Sequence, residues 1–479
     1  MFEVDVSSMS PERFRWVLPP ERFEAFDEAM KEGRRLLAGR VVWNVNSTAR
    51  GGGVAELLQS LVAYARGAGG DVRWVVIEGT PEFFAVTKRI HNRLHGAPGD
   101  GGALGDQARS VYERVLADNM TDLVERVRAG DVVIVHDPQP AGLIRALRGT
   151  GAAVIWRCHV GIDRPNDLAR EAWRFLLPYV SDADVFVFSR ESFVWEGLDR
   201  DRIVVIPPTI DVFSPKNEDI RPATVLGVLR AAGVLSNGGA PGPATFTRQD
   251  GTPGRVDRRA DLLGTSPVPE QAPIVLQVSR WDALKDPHGV IQGFADHVPD
   301  STGAHLIYAG PAVSAVADDP EGLRVLNESV ALWEHLPDWS KSRVHLASLP
   351  MEDPAENATI VNALQRYATV IAQKSLAEGF GLTVAEAMWK GRPVIASRIG
   401  GIETQILHGE TGLLLDDPRD LKAFGAAVAD LLLDPPRAQR MGERARERVR
   451  DEFTSPRSLL DYLAVMKRLL VRPGARAAA

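Results

Sequence analysis

Two series of short apolar runs, each run separated from the next by a helical pattern, set the strongest limit on how this chain folds. The first series is "RVVWNVN", "DVRWVVIEG", "DVVIVHD", "AAVIWRCH", "ADVFVFS" and "RIVVIPP"; the second is "PIVLQVS", "AHLIYAG", "RVHLASL", "TVIAQ", "RPVIAS" and "TGLLLD". Runs this short and this continuously apolar suit strands covered on both faces. The helical stretches between them supply the cover, so the pattern predicts βαβ units around parallel sheets, an α/β class. At 479 residues the chain is too long for one hydrophobic core. The series break near residue 212, which predicts an N-terminal half at 1–212 and a C-terminal half at 213–453, with a helix and tail at 454–479 crossing back to the first half. Residues 236–268 are rich in Gly, Pro and charge with little periodicity, and read as a long loop or insertion.

Hydrophobic residues at 44% and charged residues at 25% place the chain among ordinary folded proteins. A net charge of −7 gives no broad basic surface for nucleic acid. The N-terminus "MFEVDVSSMSPERF" is acidic where a signal peptide needs basic residues and an apolar core, and no run is long enough to span a bilayer. The expectation is a cytoplasmic chain with no membrane partner. The single cysteine, Cys158, has no partner for an internal disulfide and adjoins the apolar "AAVIW", which fits a buried thiol in a reducing compartment better than a nucleophile.

In open parallel sheets ligands bind outside the carboxyl ends of the strands, so chemistry is to be sought just after each run. "GGGVAE", Gly51 to Glu56, follows "VVWNVN" and opens a helix; Gly52 and Gly53 allow close approach of a ligand to backbone, or the turn only packs helix on strand. "SRWDALKDP" follows "IVLQV": Arg280 and Lys285 leave one strand end and can grip a diphosphate together, or are solvated surface cations. "AEGFGLTVAEAM" places Glu378 at a strand end and Glu386 inside the following helix, with the amides of Gly381, Leu382 and Thr383 at the helix start. Thr383 and Glu386 also fit a T-x-x-E capping box, in which Glu386 serves only the helix. Two glutamates on one loop-to-helix element are better placed to hold hydroxyls than to flank a bond as acid and base. The strand ends "HDPQP" and "CHVGID" add His136, Asp137, His159 and Asp163, without a metal-ligand spacing. No GxSxG is present, which disfavours a serine hydrolase.

Together, the glycine turn after the first strand, "SRWDALK" at the first strand of the second half and the E-x7-E pattern from Glu378 to Glu386 resemble the retaining GT-B glycosyltransferases, the large family of glycogen and sucrose-phosphate synthases. "RGGGVAELLQSL", "HDPQPAGL", "WRCHVGID", "SPKN" and "SRWDALKDP" are most similar to the trehalose glycosyltransferring synthases. The resemblance implies two Rossmann-like doubly wound domains facing across a cleft. The implied reaction is retaining transfer of glucose from a nucleoside-diphosphate glucose to glucose, giving α,α-trehalose.

On that resemblance Arg280 and Lys285 bind the diphosphate, Glu386 holds the ribose and Glu378 the hydroxyls of the transferred glucose. His159 lies near the sugar's reacting face, Gly52 and Gly53 near phosphates and sugar, and Asp137 towards the acceptor. The donor is ADP-, UDP- or GDP-glucose. No cofactor or metal is required, Mg²⁺ can stimulate through the free nucleotide, the partners are small molecules, and there is room for a homodimer. A trehalose phosphorylase using glucose 1-phosphate is the nearest rival. Another hexosyltransferase of the same fold is a further alternative, a sugar-nucleotide binding protein without turnover is a rival of another class, and the combined motifs argue against a sugar-nucleotide epimerase.

Overall fold

The computed structural model describes residues 1–49, 53–236, 242–248, 251–264, 267–313 and 320–471. The chain divides into two compact units, Met1–Thr209 together with the chain from Phe453, and Ile210–Glu452.

In the first unit the described strands are β1 (Phe2–Glu3), β2 (Val41–Asn46), β3 (Asp71–Val76), β4 (Val132–His136), β5 (Ala153–Cys158), β6 (Val185–Phe188) and β7 (Ile203–Val205). They form one sheet in the order β1-β3-β2-β4-β5-β6-β7, parallel except for β1. Every residue of β4 and β5 is buried, as expected where helices cover both faces. Side-chain caps fix where those helices begin. Thr80 accepts from the Phe83 amide at Pro81–Leu94, and Asn166 accepts from the Ala169 amide at Asp167–Val180. Phe83, Tyr112 and Phe175 pack ring on ring between them. The last helix, Ser455–Val471, lies against Pro20–Leu36 and Gly53–Gly67 of the same unit.

The second unit carries a short antiparallel pair, β8 (Thr245–Thr247) and β9 (Pro253–Arg255). Its main sheet comprises β10 (Asp261–Leu263), β11 (Ile274–Val278), β12 (His305–Pro311), β13 (Val344–Leu349), β14 (Val370–Gln373), β15 (Val394–Ser397) and β16 (Leu413–Leu415). The order is β10-β13-β12-β11-β14-β15-β16, parallel except for β10. In each sheet the chain turns back past its first long strand. The neighbours of β2 are β3 and β4, and those of β11 are β12 and β14. The strand order therefore reverses between β2 and β4 and between β11 and β14, where α/β sheets leave a crevice at their carboxyl ends.

The segment 236–268 departs from the expected structureless loop. It contains β8, β9 and the edge strand β10, and Leu235 bridges Val268. Strands of three residues show no period of their own; the partner strand β13 and the helix Pro354–Tyr367 hold them in place. Buried Glu356 accepts from the Asp257 and Arg258 amides at 2.7 and 2.8 Å and pairs with the Arg258 guanidinium. Arg248 pairs with Asp353 at 2.7 Å. The "GRVDRRAD" stretch is thus tied to the N-terminus of that helix. Glu356→Leu removes the charged acceptor of two part-buried amides and of the Arg258 guanidinium, at a cost of about 1–3 kcal/mol in local opening. Trypsin cleavage after Arg258 is expected to accelerate roughly tenfold or more. An unchanged cleavage rate, read by mass spectrometry, counts against this anchoring.

Candidate active site

In the second unit the loops that leave β11 and β14 are sewn together by one amide. Gln277, fully buried on β11, donates through Nε2 to the Lys285 carbonyl at 2.7 Å and accepts through Oε1 from the Lys374 amide at 3.0 Å. The Leu376 amide donates to the Leu284 carbonyl at 2.7 Å, and buried Lys374 pairs with Asp286. Asp286 has φ +53 and caps the helix Pro287–His297 through the Gly289 amide. On this frame Lys285 Nζ meets Glu378 Oε2 at 2.6 Å, both side chains mostly covered. Arg280 leaves the same strand end but is 67% exposed and reaches Asp282 at 3.0 Å.

Glycines fix Glu378 from behind. A Cβ on Gly400, φ +49, would fall 1.9 Å from the Glu378 carbonyl oxygen, and the Gly401 amide donates to the Gly379 carbonyl at 2.7 Å. The helix Leu382–Trp389 begins at Gly381, φ +81, with no side-chain cap. The capping box suggested by Thr383 and Glu386 is not formed: Thr383 Oγ1 donates instead to Gln373 Oε1 at 3.0 Å. A left-handed glycine occupies the cap position, so the threonine sits inside the first turn. Glu386 is buried, with Lys216 Nζ at 3.5 Å. Behind it Lys390 donates to Asn217 Oδ1 at 2.7 Å, and burial lowers the Lys390 pKa well below its ordinary value. Lys216 and Asn217 lie in "SPKN", which the sequence flagged without a role.

In the first unit, His136 ends β4 and His159 follows β5. His136 Nδ1 lies 3.2 Å from His159 Nε2, and His136 Nε2 lies 3.2 Å from Asn44 Oδ1 on β2. Burial and the nearby Arg157 guanidinium lower both histidine pKa values, that of His136 to about 3, so both rings are neutral. Asp137 adopts φ +65 and accepts from the His159 amide at 2.7 Å. Burial lifts its pKa to about 6, although that amide and Arg157 pull the other way. Arg157 is itself buried and donates to Ser189 Oγ at 3.2 Å, with Nε and Nη1 unpaired among the described residues. Cys158 is fully buried, its thiol pushed up by burial and bonded to the Val160 carbonyl, so it is no nucleophile. Asp163 instead pairs with Ser192 Oγ at 2.6 Å and Arg190 at 3.3 Å. Gly53 is the first residue of the helix Gly53–Gly67, while Gly52 lies outside the described residues.

Lys285, Glu378 and the Gly381 helix start are thus brought together in the second unit, and His136, Asp137 and His159 in the first. Sequence reasoning missed Asn44, Gln277, Lys374 and Arg157, each a polar residue inside or beside an apolar run. Among the described residues no group of three or more His, Cys, Asp or Glu is arranged to hold a metal ion. No helix among them is long and apolar enough to cross a membrane.

Two such sheets, with their polar residues gathered at the switch points, are those of a glycosyltransferase with the GT-B fold. The structure is similar to an α,α-trehalose-phosphate synthase (UDP-forming) from Burkholderia vietnamiensis, with a TM-score of 0.62 and 15% identity over 90% of this chain and 98% of that one. The family described as "Trehalose synthase, N-terminal domain" matches residues 44–195, and "Glycosyl transferases group 1" matches residues 354–448. A trehalose synthase from Rubrobacter xylanophilus is 36% identical over 94% of this chain and 95% of its own length. The chain belongs to the trehalose synthase family. A trehalose phosphorylase from Pleurotus pulmonarius is 26% identical over 88% of this chain and 56% of that longer protein.

The raised Asp137 pKa carries a pH signature. A carboxyl that ionises later in the folded chain than in the unfolded one stabilises the fold fully below about pH 4, and that contribution is lost as pH rises through about 6. Asn tolerates the same left-handed backbone and does not titrate. The native chain is therefore expected to lose roughly 1–3 kcal/mol relative to Asp137→Asn between pH 4 and 6.5 in urea titrations. A difference that stays constant across that range argues against the buried carboxyl.

Proposed function

We propose that the protein transfers glucose from a nucleoside-diphosphate glucose to glucose, with retention, to form α,α-trehalose. The observation that carries this reading is the Lys285–Glu378 pair at the β11/β14 switch point, in a chain of the trehalose synthase family. A diphosphate arriving at Lys285 competes with Glu378 for the ammonium. The exchange leaves Lys285 charge-compensated and releases the Glu378 carboxylate to accept from sugar hydroxyls. Arg280, exposed and loosely held by Asp282, adds a second cation, and the uncapped amides of Leu382 and Thr383 add the positive end of a helix. These groups stabilise the charge that develops as the diphosphate leaves. They meet that charge without a metal, leaving Mg²⁺ a stimulatory role through the free nucleotide.

Glu386 takes the ribose in this reading, which requires Lys216 to give way beside it. His159 and Asp137 belong to the transferred sugar and the acceptor, with Gly52 and Gly53 near sugar and phosphates. The acceptor oxygen bonds to the anomeric carbon as the bond from that carbon to phosphate oxygen breaks. The acceptor proton passes to the leaving phosphate oxygen on the same face.

The test is to incubate the purified protein with glucose and ADP-, UDP- or GDP-glucose, or with glucose 1-phosphate, and identify the disaccharide by NMR. Trehalose from a nucleotide donor supports the reading and names the base. Trehalose from glucose 1-phosphate alone would establish the phosphorylase reading, which the Pleurotus relative favours. Glu378→Gln is expected to fold normally and lose about a hundredfold or more in kcat. Near-normal turnover in that variant removes Glu378 from the site.

A further inference from the structure

The first unit contains a chain of polar contacts whose hydrogen positions follow from its first member. Asn44 Nδ2 donates to the Arg73 carbonyl at 3.4 Å, which sets the amide so that Oδ1 faces His136 Nε2 at 3.2 Å. An amide oxygen only accepts, so the hydrogen of neutral His136 is on Nε2. His136 Nδ1 is then a lone pair, and the atom facing it at 3.2 Å, His159 Nε2, must donate. Neutral His159 is left with a lone pair on Nδ1, which has no partner among the described residues, on a side chain that is only half-buried. Asn44 is 6% and His136 2% exposed, and the cavity of about 90 Å³ that both border is otherwise lined mostly by apolar side chains such as Leu58, Leu61 and Leu459, so a water there has few partners with which to repair a wrong tautomer. Moving both ring hydrogens to Nδ1 would keep the contact between the rings but set the His136 Nε2 lone pair against Asn44 Oδ1, or, with the amide flipped as well, Asn44 Oδ1 against the Arg73 carbonyl, a cost of about 1–3 kcal/mol for the group left unpaired.

We propose that Asn44 and His136 are positioning residues that lock His159 as its Nε2–H tautomer, so that His159 Nδ1 accepts a hydrogen bond from a hydroxyl of the transferred sugar. The sugar clause rests on the function proposed above; the tautomer assignment does not. The hydroxyl must donate, which makes the contact selective against a group of similar size that can only accept. Asn44 and His136 need touch no substrate. Their effect reaches the sugar through the imidazole they orient.

Two-bond ¹H–¹⁵N correlation spectra of the full chain labelled at histidine test the first clause, with His136→Gln and His159→Gln used to assign the two rings. Both rings are expected in the Nε2–H form in the native chain. Asn44→Leu is expected to release His159 into a mixture of tautomers. A native His159 that is cationic or carries its hydrogen on Nδ1 overturns the lock, whether or not any variant folds, and so does an unaltered His159 pattern in folded Asn44→Leu.

Donors with each glucose hydroxyl replaced in turn by fluorine test the second clause. One fluoro donor is expected to lose roughly tenfold to a hundredfold in kcat/KM. In Asn44→Leu that penalty shrinks, with the unmodified donor's KM rising more than kcat falls. Equal use of all fluoro donors by the native chain overturns the hydroxyl contact. No product from any unmodified donor overturns the transfer reading and the hydroxyl clause with it, while the spectra still decide the lock.

Discussion

Strands covered by helices on both faces can carry almost nothing but apolar side chains, and this constraint governs where chemistry can sit in both units. Along β4 and β5 every residue is buried, and the chain leaves the sheet only after His136 and Cys158. Polar groups therefore collect where the strands stop, and they face a crevice only where the strand order reverses. Lys285 and Glu378 follow β11 and β14, the two strands that flank the second reversal. His136 ends β4 beside the first reversal, and His159 lies one strand further along.

That placement made part of the site legible from the amino acids alone. Strand ends can be read from where an apolar run stops, so Lys285, Glu378, Asp137 and His159 stood out. The helix start at Gly381 could be read too, because a left-handed turn favours glycine. The capping box did not survive, because T-x-x-E is a local pattern and the contact that competes for Thr383 comes from Gln373, ten positions earlier on the preceding strand. The edge strand β10 was illegible for a related reason: three residues carry no period, and their state is set by β13, more than eighty positions on. Arg280 could be placed at a strand end, but its exposure and its bond to Asp282 depend on the turn.

The two groups differ in electrostatic character. The second unit's polar residues are ion pairs: Lys285 with Glu378, Lys374 with Asp286, Lys216 with Glu386. Each partly covered charge has an opposite neighbour, without which its desolvation would be costly. In the first unit the histidines are neutral, and beside them stand the buried Arg157 guanidinium and the late-ionising Asp137 carboxyl. Ion pairs that can exchange partners suit a ligand that brings its own charge. A neutral relay with a fixed hydrogen pattern suits one that brings hydroxyls, because a hydroxyl distinguishes donor from acceptor where a charge does not.

One device recurs in both sheets despite that difference. The first strand before each reversal carries a buried amide, Asn44 on β2 and Gln277 on β11, and each reaches across the reversal to the neighbouring strand's end. Asn44 meets His136 at the end of β4, and Gln277 meets the Lys374 amide just after β14. A side-chain amide offers one acceptor and two donor hydrogens without a charge, so it can join two strand ends in a dry interior and fix which partner donates. A carboxylate at either position would accept from both sides and lose the donor that Gln277 gives to the Lys285 carbonyl. A leucine would leave the partner groups unsatisfied. The parallel sheet limits chemistry to its strand ends, and a neutral amide one step inside the sheet sets the hydrogen-bond direction of what lies there.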